Sequence, residues 1–531
     1  MKQKTSVLFL MGILLVGLLT LFPYGAYLDQ ISEQRILFAN IEEYLIRIMG
    51  EDNGLVRDLQ EYGVLPISID RDRDHGMSAY YPAFPVWYLN GISGYVGSVF
   101  WHGYTFLIIF WGICSLFFLG KELFQSEKAA GFMTLLFFLT PRMFAESHYN
   151  NKDMVLLSLC FTMFYWGMRL MKDKSCKSLC MLSFAGALAA NTKIVGCWIF
   201  GALGLYLFFY FIVTKQMDQK LLGKAVLCVA LWFGLWVLLT PGCWDNMPEF
   251  FAYLFLGAVD YNLWHDWVLF DGKMVHQDYT GIPRRYLPTM MLYTIPVGIL
   301  LLCVVGVIFV VADCIRRKSG HTKDAAYILA VLVIGGVPLT YAVLAATPVY
   351  NGWRHFYFVY ASMILGAGYG AFRLWELARA KGRQKIMAVL AGGYLLALAA
   401  GIAVNYPQEH SYFNFLAGKN VVERFELDYW DMSVKQAYDS VLKDAEGRQV
   451  SVGALNLPTW WGLDENWQCL RKTQQEKLII AEEWQEAEYL IVNTTYAVMY
   501  SEEDYRSIQE KYRQVDAFTS YGNVICEVYK K

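Results

Sequence analysis

The sequence is poor in charged residues, and this shortage excludes an ordinary soluble globular protein. Only 17% of its 531 residues are Asp, Glu, Lys or Arg, whereas about a quarter is usual for soluble domains. Hydrophobic residues make up 56% of the chain and aromatic residues 16%. The net charge of −2 offers no basic surface for nucleic acid, so no nucleic-acid partner is expected. The composition predicts a membrane protein.

The chain also lacks low-complexity tracts, tandem repeats and an informative cysteine pattern. Most of its 11 cysteines lie in or beside apolar runs, where a thiol behaves as a small apolar group. Cys469 and Cys526 both fall in the C-terminal region and could pair, an option that two thiols alone leave open. Cysteine usage therefore does not identify the compartment.

Long apolar runs recur through the first 404 residues, and about 20 such residues are needed to cross a bilayer core of about 30 Å. The first run follows the basic leader Met1–Lys4. It is longer than the apolar region of a signal peptide and has no small-residue cleavage site after it, so we expect a retained helix. Eleven transmembrane helices are predicted, near residues 5–24, 100–120, 129–147, 154–170, 178–191, 195–214, 225–240, 289–312, 325–346, 356–372 and 387–404.

The orientation follows from the distribution of Lys and Arg, which are enriched in cytoplasmic segments. If the N-terminus is cytoplasmic, six short inner segments carry 20 of the 45 Lys and Arg residues. We therefore predict an integral protein of the plasma membrane with a cytoplasmic N-terminus and an extracytoplasmic C-terminus. The inner segments are 1–4, 121–128, 169–177, 215–224, 313–324 and 373–386.

Residues 1–404 thus form a predicted membrane domain with two large outer loops, 25–99 and 241–288. In the first loop, apolar residues at helical spacing within Ile31–Met49 favour an amphipathic helix on the membrane surface. The alternating charges at 70–74 are typical of a solvated loop. Residues 405–531 are predicted to form a small extracytoplasmic α/β module, because strand-like runs occur at Glu488–Val492 and Val524–Tyr529 and a helix-like run at 432–444.

Polar and charged residues gather at the outer ends of the predicted spans, where charges are costly and are functional candidates. They lie in Thr140–Asp153, Ala190–Lys193, the second outer loop and Thr347–His355. A single cation would be explained by snorkelling to the interface. Several clusters on one face instead favour an outward-facing polar cavity that binds an amphiphile with a phosphate head group.

Metal binding is an alternative for the second outer loop, although the spacing of its His and Asp residues matches no zinc signature. No metal site is therefore predicted, and a divalent cation stays open only as a helper for phosphate binding. The residues in question are His265, Asp266, His276 and Asp278.

Several segments, in consistent order, resemble the membrane-embedded GT-C glycosyltransferases of the family 39 type. This group includes protein O-mannosyltransferases and lipid A aminoarabinose transferases. The likeness runs from about residue 5 to about residue 440 and does not cover the last ~90 residues. It is carried by Thr140–Asp153, Trp267–Gly272, Ile282–Pro288, Tyr350–Tyr357, Tyr412–Gly418 and Phe425–Trp430.

The resemblance implies a fold with eleven or more transmembrane helices and a large first outer loop. It also implies transfer of a sugar from a polyprenyl phosphate to a hydroxyl group, with inversion at the anomeric carbon. Members of the family usually carry an adjacent Asp-Glu pair in the first outer loop, and this pair is absent here. Alignment by distance to the following Tyr points to Glu33 as the catalytic base, with Asp29 as the alternative.

The implied site combines this base with cations that hold the donor phosphate. His355 is expected to hydrogen-bond nearby, and Asp153 to orient Lys152 or Arg142. The partners are a polyprenyl-phosphate sugar, membrane lipid and an envelope glycan, lipid or protein that supplies the acceptor hydroxyl. The four candidate phosphate-binding cations are Arg142, Lys152, Lys193 and Arg354.

Two other classes remain open from the sequence. A transporter or flippase of lipid-linked saccharides would share the cationic cavity, although the chain shows no internal repeat. A non-catalytic envelope scaffold would explain the missing Asp-Glu pair. The direction in which Glu33 faces relative to Arg142 and Arg354 distinguishes an enzyme from a scaffold.

Overall fold

The computed structural model describes residues 2–60, 67, 73–90, 94–259, 265–316 and 320–531. The charged stretch at 70–72 lies outside the described residues. The fold is mainly helical. The helices before the second outer loop are α1 Lys2–Leu19, α2 Gln30–Met49, α3 Gly54–Gln60, α4 Phe84–Asn90, α5 Tyr95–Phe124, α6 Glu127–Phe138, α7 Pro141–Glu146, α8 Asp153–Asp173, α9 Cys176–Thr192, α10 Val195–Val213 and α11 Gln219–Leu238.

The remaining helices divide between the second half of the apolar region and the C-terminal region. In the apolar half they are α12 Met247–Val259, α13 Tyr286–Thr294, α14 Val297–Arg316, α15 Thr322–Ala345, α16 Tyr357–Ala380 and α17 Gln384–Asn405. In the C-terminal region they are α18 Val434–Asp444, α19 Leu457–Gln468, α20 Lys472–Gln475 and α21 Glu502–Lys511.

Seven helices in the described part of the chain are long and apolar enough to cross a membrane, by length and composition. They are α5, α8, α10, α11, α14, α15 and α17. A polytopic membrane architecture follows from these apolar helices. The other four predicted spans fall on α1, on α6 with α7, on α9 and on α16, and the count of eleven stays a prediction.

Two predicted spans are divided by proline. The span predicted at 129–147 breaks after Phe138, and a new short helix begins at Pro141. Likewise, Pro296 separates α13 from α14 within the span predicted at 289–312. Proline lacks an N–H and fits the first turn of a helix. In the first case the break turns the chain so that Arg142 and Glu146 lie on a separate short helix, α7.

The apolar helices pack closely where small residues meet. Helix α14 crosses α16, and a Cβ added to Gly306 would collide with the carbonyl oxygen of Gly366. Between apolar helices in lipid, close packing at small residues is a main source of association. Helix α8 packs against both α5 and α9, and a Cβ added to Gly112 of α5 would collide with Ser158 of α8.

Helix α2 matches the helix predicted within Ile31–Met49, but its first turns are not free to lie on a membrane surface. Ile31, Ile36 and Leu37 are buried in the protein core. The last turn is exposed, where Ile48 has 75% of its surface accessible, and near the start of the helix only Ser32 and Arg35 are exposed. The buried side of the first turn packs inside the protein, and this side carries Glu33.

The second outer loop contains a two-stranded hairpin of β1 Trp267–Phe270 and β2 Lys273–His276. Its turn residues Asp271 and Gly272 have φ of +54° and +77°, which suits the two-residue turn of a twisted hairpin. The hairpin contacts the segment after the last apolar helix, because Phe270 forms a β-bridge with Phe425. This contact brings residues 425–431 towards the membrane helices.

The C-terminal region contains a five-stranded sheet in the order β4-β3-β5-β7-β6. Strand β3 pairs in parallel with β4 and β5, while β7 pairs antiparallel with β5 and β6. The predicted strands and helix at 432–444 correspond to β5, β7 and α18, and the division into a separate module stays a prediction. The strands are β3 Val450–Ala454, β4 Leu478–Ile480, β5 Tyr489–Asn493, β6 Arg513–Ser520 and β7 Asn523–Lys530.

A disulfide between Cys469 and Cys526 is not present. Both thiols are free and buried. The sulfur of Cys469 faces α2, where it accepts a hydrogen bond from Nε2 of Gln30. Cys526 lies in the strand β7, so the two cysteines serve different contacts.

Candidate functional site

Six separate segments supply the side chains of the candidate site. They are the start of α2, residue 75 of the first outer loop, α7 with the turn that follows it, the junction of α9 and α10, the loop before α16, and residues 425–431. Each is a short helix, a helix end or a connection, where the long apolar runs stop. Helix packing then brings these ends together.

The first contact joins the predicted base to a predicted cation. Oε1 of Glu33 lies 2.9 Å from Nζ of Lys152, and both side chains are at most 10% exposed. A buried charge of either sign is costly without a partner. Glu33 and Lys152 therefore hold each other in place, and Glu33 faces the predicted phosphate-binding residues rather than lipid or bulk water.

The second contact corrects a prediction about Asp153. Asp153 forms its ion pair with Lys193, rather than with Lys152 or Arg142. Its other oxygen, Oδ2, accepts a hydrogen bond from Nδ2 of Asn150 at 3.2 Å. Desolvation lowers the pKa of Lys193, and the opposing charge of Asp153 favours the ammonium form.

Arg354 is held by aromatic rings and by the alternative base. Its guanidinium carbon lies 4.4 Å from the centre of the Trp430 ring and 5.1 Å from that of Tyr350. Nη1 lies 3.7 Å from Oδ2 of Asp29, whose side chain is 48% exposed. A planar guanidinium suits both stacking on an aromatic face and bidentate binding of phosphate.

Lys152, Lys193 and Arg354 form one group, called here the cationic cluster. All three charges act on His75, whose pKa is lowered well below its ordinary value by desolvation first and then by these cations. His355 lies in the same group, since desolvation, Lys193 and Arg354 lower its pKa in the same way. Both imidazoles are therefore neutral near pH 7. The ring of His355 packs edge-on to Tyr350, with centroids 4.9 Å apart.

Arg142 lies beside the cationic cluster in a buried network of its own. Nη1 of Arg142 donates to the hydroxyl of Tyr429 at 3.1 Å. The hydroxyls of Tyr429 and Tyr357 donate to Oε1 of Glu146 at 3.2 and 2.6 Å. Asn150 donates to Oε2 of Glu146 at 2.7 Å and so connects this network with Asp153.

Glu426 adds a buried carboxyl group that the sequence motifs did not single out. Its Oε2 accepts from Nδ2 of Asn351 at 3.5 Å, and Oδ1 of Asn351 accepts from Nη2 of Arg354 at 3.4 Å. Desolvation raises the pKa of Glu426 to about 8. Asn351 has φ +53°, a conformation that Asn tolerates better than most residues, and this aims its side chain between Glu426 and Arg354.

Several residues from the same clusters serve elsewhere. Nδ1 of His148 contacts the carbonyl of Phe144, while its Nε2 contacts Gly17 and Thr20 of the first helix region. In the second outer loop, His265 pairs with Asp278 at 2.8 Å in an exposed position. Among the described residues no group of three or more His, Cys, Asp or Glu could hold a metal ion.

Sequence reasoning missed His75, Glu426 and the stacking role of Trp430. Trp430 and Glu426 lie within a segment that carried the family resemblance, but nothing local indicates that this segment meets Arg354. His75 is a lone His in an outer loop, and its only signal was that location. Contacts between distant segments therefore supplied what the motifs could not.

No family model and no curated protein matches the chain. Solved structures do match. ArnT from Cupriavidus metallidurans bound to undecaprenyl phosphate is 14% identical, with a TM-score of 0.49, and its apo form has 0.48; the matches cover 99% of this chain and 98% of that chain. The Archaeoglobus fulgidus oligosaccharyltransferase complex with Zn and sulfate is 11% identical, with a TM-score of 0.44, over 96% of this chain and 72% of that chain.

All these TM-scores are below 0.5, so these likenesses carry no conclusion about the function of this chain.

Proposed function

We propose that this chain is a membrane glycosyltransferase that moves a sugar from a polyprenyl phosphate to a hydroxyl acceptor at the outer face of the membrane. One observation carries the proposal. Two buried guanidinium groups have N–H donors that no described residue accepts, and the two candidate bases, Glu33 and Asp29, belong to the same site. These donors are Nε and Nη2 of Arg142 and Nε of Arg354. A buried donor without an acceptor costs about 1–3 kcal/mol, and phosphate oxygens would satisfy these donors.

The cationic cluster and Arg142 would hold the phosphate and stabilise the charge that develops on it as the sugar departs. A polyprenyl phosphate is a good leaving group, so no strong general acid is required. Arg354 is the best placed of the four cations, because Trp430 fixes its plane and its contact to Asp29 is long. Apolar helices around the site suit the polyprenyl tail.

The acceptor hydroxyl must lose a proton as it attacks, and either Glu33 or Asp29 would take it. The sequence alignment favours Glu33. Burial favours Asp29, since Glu33 is 8% exposed and tied to Lys152, whereas Asp29 is 48% exposed and open to an incoming acceptor. Under the second assignment Glu33 positions Lys152. A single displacement with either base inverts the anomeric carbon.

The test is sugar transfer by purified protein in nanodiscs, with a panel of hexosyl and pentosyl polyprenyl phosphates and with or without a chelator. Asp29→Asn is compared with Asp439→Asn, an equally exposed Asp that also pairs with a cation. Glu33→Gln is compared with Glu42→Gln, a buried Glu on the same helix. Loss of the base should reduce turnover by about 10²–10⁴-fold.

Each outcome assigns a role. Loss of transfer in only one of the two site variants identifies the base, while both controls keep activity. Transfer that needs a divalent cation adds a metal to the site. No release of polyprenyl phosphate from folded wild-type protein with any donor would overturn the proposal and favour a saccharide transporter or a scaffold.

A further inference from the structure

The first turn of α2 has an unusual cap. Asp29 occupies the position before the helix, where Asp usually turns its carboxylate back onto a backbone N–H of the first turn. Here the side chain of Asp29 makes no such hydrogen bond. Its oxygen Oδ2 instead faces Nη1 of Arg354. Something else must satisfy the first-turn N–H groups.

Glu465 of α19 takes that place. The N–H of Ile31, the second residue of α2, donates to Oε2 of Glu465 at 3.0 Å. Desolvation raises the pKa of Glu465 to about 8, so near neutral pH this side chain accepts the hydrogen bond mostly as a neutral carboxyl group. The cap of α2 therefore comes from a residue far away in the sequence, within the C-terminal region.

The neighbouring residue, Asn466, fixes the chain that leads into α2. Its Oδ1 accepts the N–H of Ala26 at 2.9 Å, and its Nδ2 donates to the carbonyl of Ala26 at 3.1 Å. Gly25 allows this approach, because a Cβ there would collide with Oδ1 of Asn466. Helix α19 thus holds the chain on both sides of Asp29.

We propose that Glu465 is a positioning residue which caps α2 in place of Asp29, so that the carboxylate of Asp29 stays available to Arg354 and to the bound substrate. The availability of Asp29 for catalysis rests on the proposed function; the exchange of caps does not. The C-terminal region then has a defined task, which is to hold the first turn of α2 beside the cationic cluster.

The charges around Asp29 make the exchange measurable. The titratable groups that face it are Arg354, Glu465 and Tyr27. Without an acceptor at position 465, the carboxylate of Asp29 would turn to accept the hydrogen bond from the N–H of Ile31. The carboxylate of Asp29 would then leave Arg354, and the interaction between these two side chains would weaken.

The experiment uses full-length protein in nanodiscs and needs no sugar donor. A double-mutant cycle of Asp29→Asn and Arg354→Gln, read from the melting temperature, measures the interaction between these two side chains in the wild type and in each variant at position 465. Glu465→Met keeps the volume without a carboxylate, whereas Glu465→Gln keeps an acceptor oxygen without the charge. The control is Asp464→Asn, which changes the residue immediately before Glu465. The side chain of Asp464 accepts a hydrogen bond from Gln468.

We expect the interaction between Asp29 and Arg354 to weaken by about half or more in E465M, and by clearly less in E465Q and D464N. An equal loss in E465M and E465Q would show that an acceptor oxygen at position 465 does not keep Asp29 beside Arg354, and would overturn the proposal. An unchanged interaction in E465M would also overturn it. If E465M does not fold, E465A replaces it.

Turnover provides a second readout. If the wild type transfers sugar, kcat should fall on the order of ten- to a hundredfold in E465M and recover in E465Q. An inactive wild type, in which E465M still weakens the interaction between Asp29 and Arg354, would reject the proposed function and keep the cap exchange. An active wild type, in which E465M leaves that interaction unchanged, would keep the proposed function and reject the cap exchange.

Discussion

The guanidinium group of Arg354 lies 4.4 Å from the centre of the indole ring of Trp430. The two residues come from opposite sides of the last two apolar helices, α16 and α17. A desolvated contact between a cation and an aromatic face contributes about 2 kcal/mol. It also fixes the plane in which Arg354 would meet a phosphate group.

This contact predicts an effect of Trp430 on donor use. Trp430→Leu should reduce kcat/KM for the donor about tenfold, because Arg354 loses the face that orients it. Trp430→Phe keeps an aromatic face and should lose less. Kinetics with varied donor concentration provide the measurement. Trp461→Leu, at an exposed Trp of α19, is the control, and equal losses in the Leu and Phe variants would contradict the stacking role.

The pair of Asp153 and Lys193 predicts a separation of stability from activity. Removing one partner, in Lys193→Met or Asp153→Asn, leaves a charge without its partner and should lower the free energy of unfolding by a few kcal/mol. The double variant K193M/D153N should recover most of the stability. It should not recover sugar transfer, since the phosphate has lost a cation. Thermal unfolding in detergent and donor turnover are measured on the same preparations, and a fully active double variant would remove Lys193 from the site.

The hydrogen bond from Tyr357 to Glu146 predicts a loss of stability when the hydroxyl group is removed. Tyr357→Phe removes the 2.6 Å hydrogen bond to Oε1 of Glu146, so this buried carboxyl group loses one of its hydrogen-bond donors. A loss of about 1–3 kcal/mol in the free energy of unfolding is expected. The melting temperature tests this against Tyr341→Phe, at an exposed tyrosine. Equal melting temperatures in the two variants would show that this hydrogen bond does not stabilise the folded protein.

Glu409 predicts how stability depends on pH. Desolvation raises the pKa of Glu409 to about 8, and the hydroxyl of Tyr24 donates to its Oε1. The folded state therefore binds the proton more tightly than the unfolded state. The resulting stability is present below the ordinary carboxyl pKa and is lost as pH rises through about 8.

The measurement is the melting temperature from pH 5 to pH 9. The wild type should lose stability across this range, and Glu409→Gln should flatten the loss because its side chain cannot ionise. Glu503→Gln, at an exposed carboxyl group of α21, corrects for general effects. A wild-type curve that rises towards pH 8, or an unchanged slope in E409Q, would contradict the assignment.

Much of the helical architecture follows from local pattern. Nine of the eleven predicted spans fall on one helix each and the other two on a pair of helices, because an apolar run without water must satisfy its own backbone. The errors are local too, since prolines divide two of the runs. The C-terminal strands β5 and β7 were also visible as short apolar stretches, whereas their pairing in the sheet was not.

The sequence predicted which residues form the candidate site, but it did not predict which of their side chains contact each other. The sequence identified Arg142, Lys152, Lys193 and Arg354 because charges at the ends of apolar helices are costly and need a reason. It did not indicate that Asp153 pairs with Lys193, because neighbours along the chain were the natural guess. Nor did it indicate His75.

The sequence by itself determined that this is an apolar, helical chain with cations and carboxylates gathered at one set of helix ends. Hydropathy and helical periodicity act over one or two turns, so they are readable residue by residue. The tertiary structure alone decided that Glu33 meets Lys152, that Arg354 stacks on Trp430 and that Glu465 caps the helix behind Asp29. Those contacts join segments far apart in the chain, and only the packing of the helices and the C-terminal sheet brings their side chains within hydrogen-bonding distance.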